Sequence, residues 1–265
     1  MPREPPVTRT SLDKPELLQN KQSRTRRDDA NQCNAFAALT KPPAARGCTE
    51  TTLTQPGPTT QTIATRTVDY YFTPQSPWTY LGHARFAAIA AAAGATVRIF
   101  PVDLGQVFPV SGGLPLGKRA PQRQAYRLLE MRRYSDHLKM PMNLNPAYFP
   151  VSGDAASRLI IAVDAEDGID AAMKLSEAVF RAVWAEERNI ADDNVLAELL
   201  TECALPAARL AQSQAADVQA RYKANTRQAI DGGIFGAPSF VIDGELFWGQ
   251  DRLDFVERRL AAPAA

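Results

Sequence analysis

Residues 69–82 read DYYFTPQSPWTYLG. Tyr70–Phe72 is aromatic and strand-prone, Pro74 breaks the run, and an apolar helix begins after Ser76-Pro77. Serine is a preferred N-cap and proline is favoured at the first helical position, so capping alone accounts for the pair. The end of a strand meeting the start of a helix is also where unpaired N–H groups and the helix dipole favour an anion. A cysteine at such a point has its pKa lowered, but none stands here. A serine hydroxyl there would instead donate a hydrogen bond to a thiolate brought by a ligand.

Outward from this stretch, Val68–Phe72 reads as a short buried strand. Pro77–Ala93 reads as an alanine-rich helix ended by Gly94, and Ala95–Pro101 as a second strand. Short links between them make a βαβ unit, whose handedness implies parallel strands. Residues 102–118, VDLGQVFPVSGGLPLGK, read as a loop because four glycines and two prolines interrupt them. Helical spacing then returns over about 120–138, 153–166, 170–188, 192–201 and 211–231. There Leu128, Met131, Tyr134, Leu138, Leu159 and Val163 fall on core-facing positions. Near the end, SFVID-GE-LFWG puts apolar runs either side of Asp243-Gly244, a strong hairpin signal, and a last helix spans about 250–261.

The order is βαβ, a helical block, then ββα. The fold class expected is α/β, one mixed sheet built from both ends of the chain with a large all-helical insertion at about 103–230.

Residues 1–65 differ from the rest. They hold eight prolines and a single aromatic residue, with nine basic and six acidic side chains. Such a stretch buries too little apolar surface to offset its ordering entropy, and is expected to be a disordered extension ahead of a domain at 66–265. It lacks the apolar segment of a signal peptide.

The whole chain carries 30 basic and 29 acidic residues, which argues neither for nucleic acid nor for an acidic partner. No apolar run nears the roughly 20 residues that span a bilayer. Three cysteines and two histidines form no C-x-x-C pair and no metal-ligand cluster. No metal is expected, and a reducing cytoplasm suits the odd cysteine count.

The segments DYYFTPQSPWTYL and IFGAPSFVIDGELFWGQDRL together carry a resemblance. With the element order, and S-P-W-T where a redox fold holds C-x-x-C, they place the chain close to the insertion-bearing branch of the thioredoxin-like fold. Within it the chain resembles the 2-hydroxychromene-2-carboxylate isomerases, relatives of the kappa-class glutathione transferases, over about residues 67–260. The resemblance implies a cytoplasmic, homodimeric enzyme of aromatic catabolism that takes glutathione as cofactor. Its substrate would be a small aromatic carboxylate.

Residue by residue, Ser76 matches the serine that holds glutathione as its thiolate. Ala237-Pro238 matches the cis-proline loop, where the Ala237 backbone would pair with the glutathione peptide. Trp248-Gly249-Gln250-Asp251 matches W-G-N-D, whose N–H groups suit the γ-glutamyl carboxylate and whose acid would meet its ammonium; Gln250 replaces asparagine. Lys118 and Arg119 match an Asn-Arg pair of the substrate pocket. Phe108 and Phe149 stand where the family has a lysine and a tyrosine, so two polar substrate contacts become phenyl rings.

Each feature also has a plain structural reading: a turn proline at Pro238, a favourable first-turn acid at Asp251, solvated loop charges at Lys118 and Arg119. Two other functions stay open. One is a kappa-like glutathione transferase or peroxidase, and the other a non-catalytic thioredoxin-fold binding protein. Disulfide exchange is set aside because Ser76 and Thr79 occupy both cysteine positions.

Overall fold

The computed structural model describes residues 65–263. The N-terminal extension lies outside them, but for its last residue.

Strand β1 (Thr67–Phe72) leads through a Thr73–Ser76 turn into helix α1 (Pro77–Ala92), and β2 (Thr96–Pro101) follows. The two strands pair in parallel, Tyr70 opposite Ile99 and Tyr71 opposite Phe100. Near the other end, β3 (Ser239–Ile242) and β4 (Glu245–Trp248) form a hairpin on Asp243 and Gly244. Both turn residues have positive φ, 51° and 80°, as a two-residue hairpin with the right twist requires. β3 then pairs antiparallel with β1, so the sheet runs β2-β1-β3-β4. A mixed sheet assembled from both chain ends is therefore what forms.

Between β2 and β3 every element is helical. Here α3 (Pro121–Leu138), α4 (Asp154–Asp167), α5 (Ile169–Trp184) and α6 (Asp193–Glu202) follow the helical spacing of the sequence. Four details differ. Residues 102–118 are not a plain loop: α2 (Leu104–Ser111) and a short 3-10 turn (Leu116–Lys118) lie there. The Asp103 side chain accepts the Gly105 N–H at 2.7 Å, Val107 is buried, and Gly112 ends the helix in the left-handed region at φ 75°. The segment read as 211–231 is two helices, α7 (Ala208–Gln212) and α8 (Ala216–Asp231). The segment read as 170–188 stops at Trp184. The last helix likewise begins as a 3-10 turn (Gln250–Arg252) before α9 (Leu253–Ala261).

Alternation along β1 separates two cores. Val68, Tyr70 and Phe72 face the larger one, where Tyr70, Phe86 and Phe240 pack ring against ring with centroids 4.6–5.2 Å apart. Met131, Leu159 and Val163 are fully buried in the same cluster, with Leu128, Tyr134 and Leu138 packed against it. Tyr71 points to the other face, among Val102, Val107, Ala229 and Ile234. The helical insertion thus supplies both faces of the sheet.

His83, on α1, is a packing residue only 3 % exposed. Its Nε2 lies 3.0 Å from the Met173 carbonyl, which can only accept, so Nε2 carries the proton and Nδ1 accepts from the Tyr70 hydroxyl at 3.2 Å. Burial pulls its pKa down to about 4, against the hydrogen bond to Met173. The neutral ring is what the fold holds, and the unfolded chain binds the proton first. Stability is therefore full above about pH 6.5 and falls as pH drops toward 4, by about 3 kcal/mol at pH 4. Urea unfolding between pH 7 and 4 is expected to show this loss, and His83→Gln, which does not titrate, to flatten the slope. Identical slopes in the two proteins would refute it.

Candidate active site

Ser76 is the N-cap of α1. Its Oγ accepts the Thr79 N–H at 3.2 Å and donates to the Ala237 carbonyl at 3.4 Å. The second bond is long, so the hydroxyl hydrogen is weakly held and free to turn toward a better acceptor. Pro77 has no N–H, and the Trp78 N–H makes no hydrogen bond to another described residue. The first turn of α1 thus leaves one backbone donor beside the serine hydroxyl.

Opposite stands the loop ahead of β3. The Ala237-Pro238 peptide is cis, and Ala237 is 7 % exposed. Its N–H has no hydrogen-bond partner among the described residues. The Pro238 carbonyl accepts the Gly249 N–H at 2.9 Å, tying this loop to the end of β4. Gly249 has φ 104°, which only glycine adopts readily, and a Cβ there would sit 2.4 Å from an Asp251 carboxylate oxygen. Gln250 and Asp251 then open the final helical segment, where first-turn N–H groups lack intrahelical acceptors.

The Gln250 side chain is not at the cleft surface. It is 2 % exposed, accepts from Arg85 at 2.9 Å, and its Cβ lies where a side chain on Gly82 would have to be. This glutamine therefore clamps the loop to α1. Asp251 is exposed and pairs with Arg252 at 2.7 Å. Trp248, half exposed, meets Phe235 edge-on at 4.8 Å.

Two adjoining cavities connect these parts. One, about 670 Å³, is lined by Ser76, Phe108, Phe149, Phe235 and Ala237 among others. The other, about 640 Å³, runs past Trp248, Gly249, Gln250 and Asp251. Trp78, Arg119, Arg123, Arg127, Ala237 and Trp248 line both, so they form one cleft. Of the residues singled out in the sequence, Ser76, Phe108, Phe149, Arg119, Ala237, Trp248, Gly249, Gln250 and Asp251 come together here. Pro238 lies buried behind the wall, and Lys118 is exposed outside the lining.

Arg119 is half-buried and fixed by donating Nε to the Leu114 carbonyl at 2.8 Å. Burial, then the nearby charge of Arg123, lowers its pKa. Arg127, like Arg123, is a cleft residue that the sequence analysis passed over. Its guanidinium lies 5.2 Å from the Phe149 ring centre and 5.6 Å from that of Trp184. Burial and then Arg119 pull its pKa to about 10, so it remains charged at neutral pH. The signal available was the spacing 119, 123, 127, one arginine per helical turn.

A cleft with serine and helix-end donors at one point, unpaired backbone on the opposite wall and arginines above can hold an extended anionic ligand. Without a cysteine at either end of Ser76–Thr79, it cannot run a dithiol–disulfide cycle there.

Known proteins share this architecture. A 2-hydroxychromene-2-carboxylate isomerase of Sphingobium xenophagum is 27% identical over 198 residues, which is 74% of this chain and 98% of that protein. One from Pseudomonas putida is 28% identical over 194 residues, 72% of this chain and 92% of its own. A solved 2-hydroxychromene-2-carboxylate isomerase superposes with TM-score 0.63 at 26% identity, covering 74% of this chain and 94% of that one. These likenesses bear out the resemblance read from the two end motifs. The DSBA-like thioredoxin domain family matches residues 67–261, and the chain belongs to that family.

Proposed function

We propose that the protein is a glutathione-dependent isomerase of the 2-hydroxychromene-2-carboxylate type, converting an aromatic chromene carboxylate to a benzylidenepyruvate. The observation that carries this reading is Ser76. It is a hydroxyl, not a thiol, at the amino end of α1, with its hydrogen loosely held toward Ala237 in a cleft that continues to Trp248–Asp251. Relatives of that name matching along nearly their whole length support it.

The residues fit glutathione on their own chemistry. The unpartnered Ala237 N–H suits a peptide laid alongside it, and the open N–H groups at Gln250 and Asp251 suit an α-carboxylate. Glutathione, when bound, supplies a sulfur nucleophile that adds reversibly to the conjugated ring system and is recovered unchanged. The protein's part is electrostatic and positional. Ser76 Oγ–H and the Trp78 N–H stabilise negative charge on sulfur, aided by the positive end of α1. Arg119 holds the substrate carboxylate in a bidentate grip. Phe108 and Phe149 wall the cavity against the ring and keep water out. A homodimer and a cytoplasmic setting belong to the same proposal by analogy with that family.

The apolar walls at Phe108 and Phe149 also suit a kappa-like transferase or peroxidase. Product balance separates the readings. An isomerase is expected to turn over many equivalents of chromene carboxylate with the free-thiol titre constant. Thiol lost in step with product would mean conjugation or peroxide reduction. No glutathione binding and no turnover would favour a binding module.

A further inference from the structure

Between Asp103 and Glu130 the chain has no acidic residue, yet it places Arg119, Arg123 and Arg127 one turn apart. All three line both cavities of the cleft. None forms an ion pair among the described residues, where most other arginines do. The lining of the Ser76 cavity contains no acid at all. In the adjoining one, Glu130 is committed to Arg133 at 2.6 Å and Asp251 to Arg252 at 2.7 Å.

Three like charges crowded along one wall repel each other, and contacts other than ion pairs hold two of them. Arg127 lies against the neighbouring rings of Phe149 and the fully buried Trp184, and Arg119 donates to the Leu114 carbonyl. Guanidinium groups fixed by stacking, with their donors left open, are preorganised for planar anions. One carboxylate occupies one such fork. If Arg119 takes the substrate carboxylate, Arg123 and Arg127 remain for a second anion, either another carboxylate of the substrate or the glycyl carboxylate of glutathione. Arg127 stacks on Phe149, and both line the same cavity as Phe108, so the leftover charge lies beside the aromatic wall.

We propose that Arg123 and Arg127 form a second anion subsite, and that the substrate is an aromatic molecule carrying two carboxylates, one at Arg119 and one at Arg127 with Arg123. This rests on the isomerase reading for the role of Arg119.

The test uses the full chain without glutathione, with benzene-1,3-dicarboxylate and benzoate as probes. Binding is read by calorimetry and by quenching of the cleft tryptophans Trp78 and Trp248. The dicarboxylate is expected to bind about tenfold or more tightly than benzoate at low salt, as for one added charge-assisted pair. Arg127→Gln is expected to bring that ratio close to one, the dicarboxylate losing far more affinity than benzoate. Arg123→Gln, at an exposed position that threatens the fold least, is expected to lower the ratio severalfold, which keeps the test decisive should Arg127→Gln misfold.

A ratio near one in the unmodified protein, or a ratio kept in both variants, would overturn the proposal. So would Arg127→Gln weakening glutathione while leaving the ratio intact, because the arginines would then serve a glutathione carboxylate. Absence of glutathione binding in a separate titration would sink the isomerase reading and leave the probe ratio readable.

Discussion

Ser76→Ala is expected to lower kcat/KM for isomerisation by roughly 10²–10³-fold, the cost of removing one preorganised donor from a developing or stabilised anion. The effect on stability is expected to be small by comparison. The Thr79 N–H loses its acceptor, and loss of an N-cap costs about 1 kcal/mol. These two numbers separate the readings with which the sequence left Ser76. If the residue only caps, unfolding shifts and turnover does not. If it also donates to sulfur, turnover falls far beyond what the slight destabilisation explains. Ser76→Thr keeps a hydroxyl at the cap and should recover part of the rate. Full activity in Ser76→Ala would leave the serine as a cap alone.

The second large effect concerns the join between insertion and sheet. Phe180, on α5, is fully buried and meets Phe72 edge-on at 5.5 Å and His83 at 5.1 Å. Phe72 ends β1 just ahead of the turn to Ser76, and His83 hydrogen-bonds α1 back to both β1 and α5. Phe180→Ala removes a ring that no neighbour replaces and is expected to cost about 3–5 kcal/mol. That is a large share of the stability of an ordinary domain. One cooperative denaturant transition should shift as a whole, because the insertion and the sheet share one core. A transition that splits in two, or a midpoint that does not move, would show the helical block to be an independent unit.

The parts of the fold legible in the sequence were those with local causes. Asp243-Gly244 supplies its own positive φ, Ser76-Pro77 its own cap, and β1 its own run of β-branched and aromatic residues. Helix α2 was not legible, because Pro109 and the Gly112-Gly113 pair look like breakers. In the structure Pro109 falls within α2, and Gly112 is its left-handed terminus.

At the site the same division holds. Ser76, Ala237 and Trp248–Asp251 sit in recognisable local motifs. The clamp of Arg85 and Gly82 on Gln250 joins positions far apart in the chain, and no periodicity announces it. Lys118 and Arg119 are neighbours in sequence, but only Arg119 turns into the cleft, which depends on how the 3-10 turn delivers the chain into α3. Arg123 and Arg127 follow from Arg119 by helical spacing. Their meaning, however, depends on α3 lying across the cleft and on Phe149 and Trp184 lying beneath Arg127.

Calorimetric titration of glutathione into the full-length protein at pH 7, in buffers of different ionisation enthalpy, decides whether Ser76 holds the thiolate. A free thiol with a pKa near 8.5 is mostly protonated at that pH. Stabilisation of its thiolate by Ser76 and the amino end of α1 should therefore release close to one proton per site on binding, and Ser76→Ala should bind with most of that release gone. Binding heat independent of the buffer, or a release undiminished in Ser76→Ala, would contradict it.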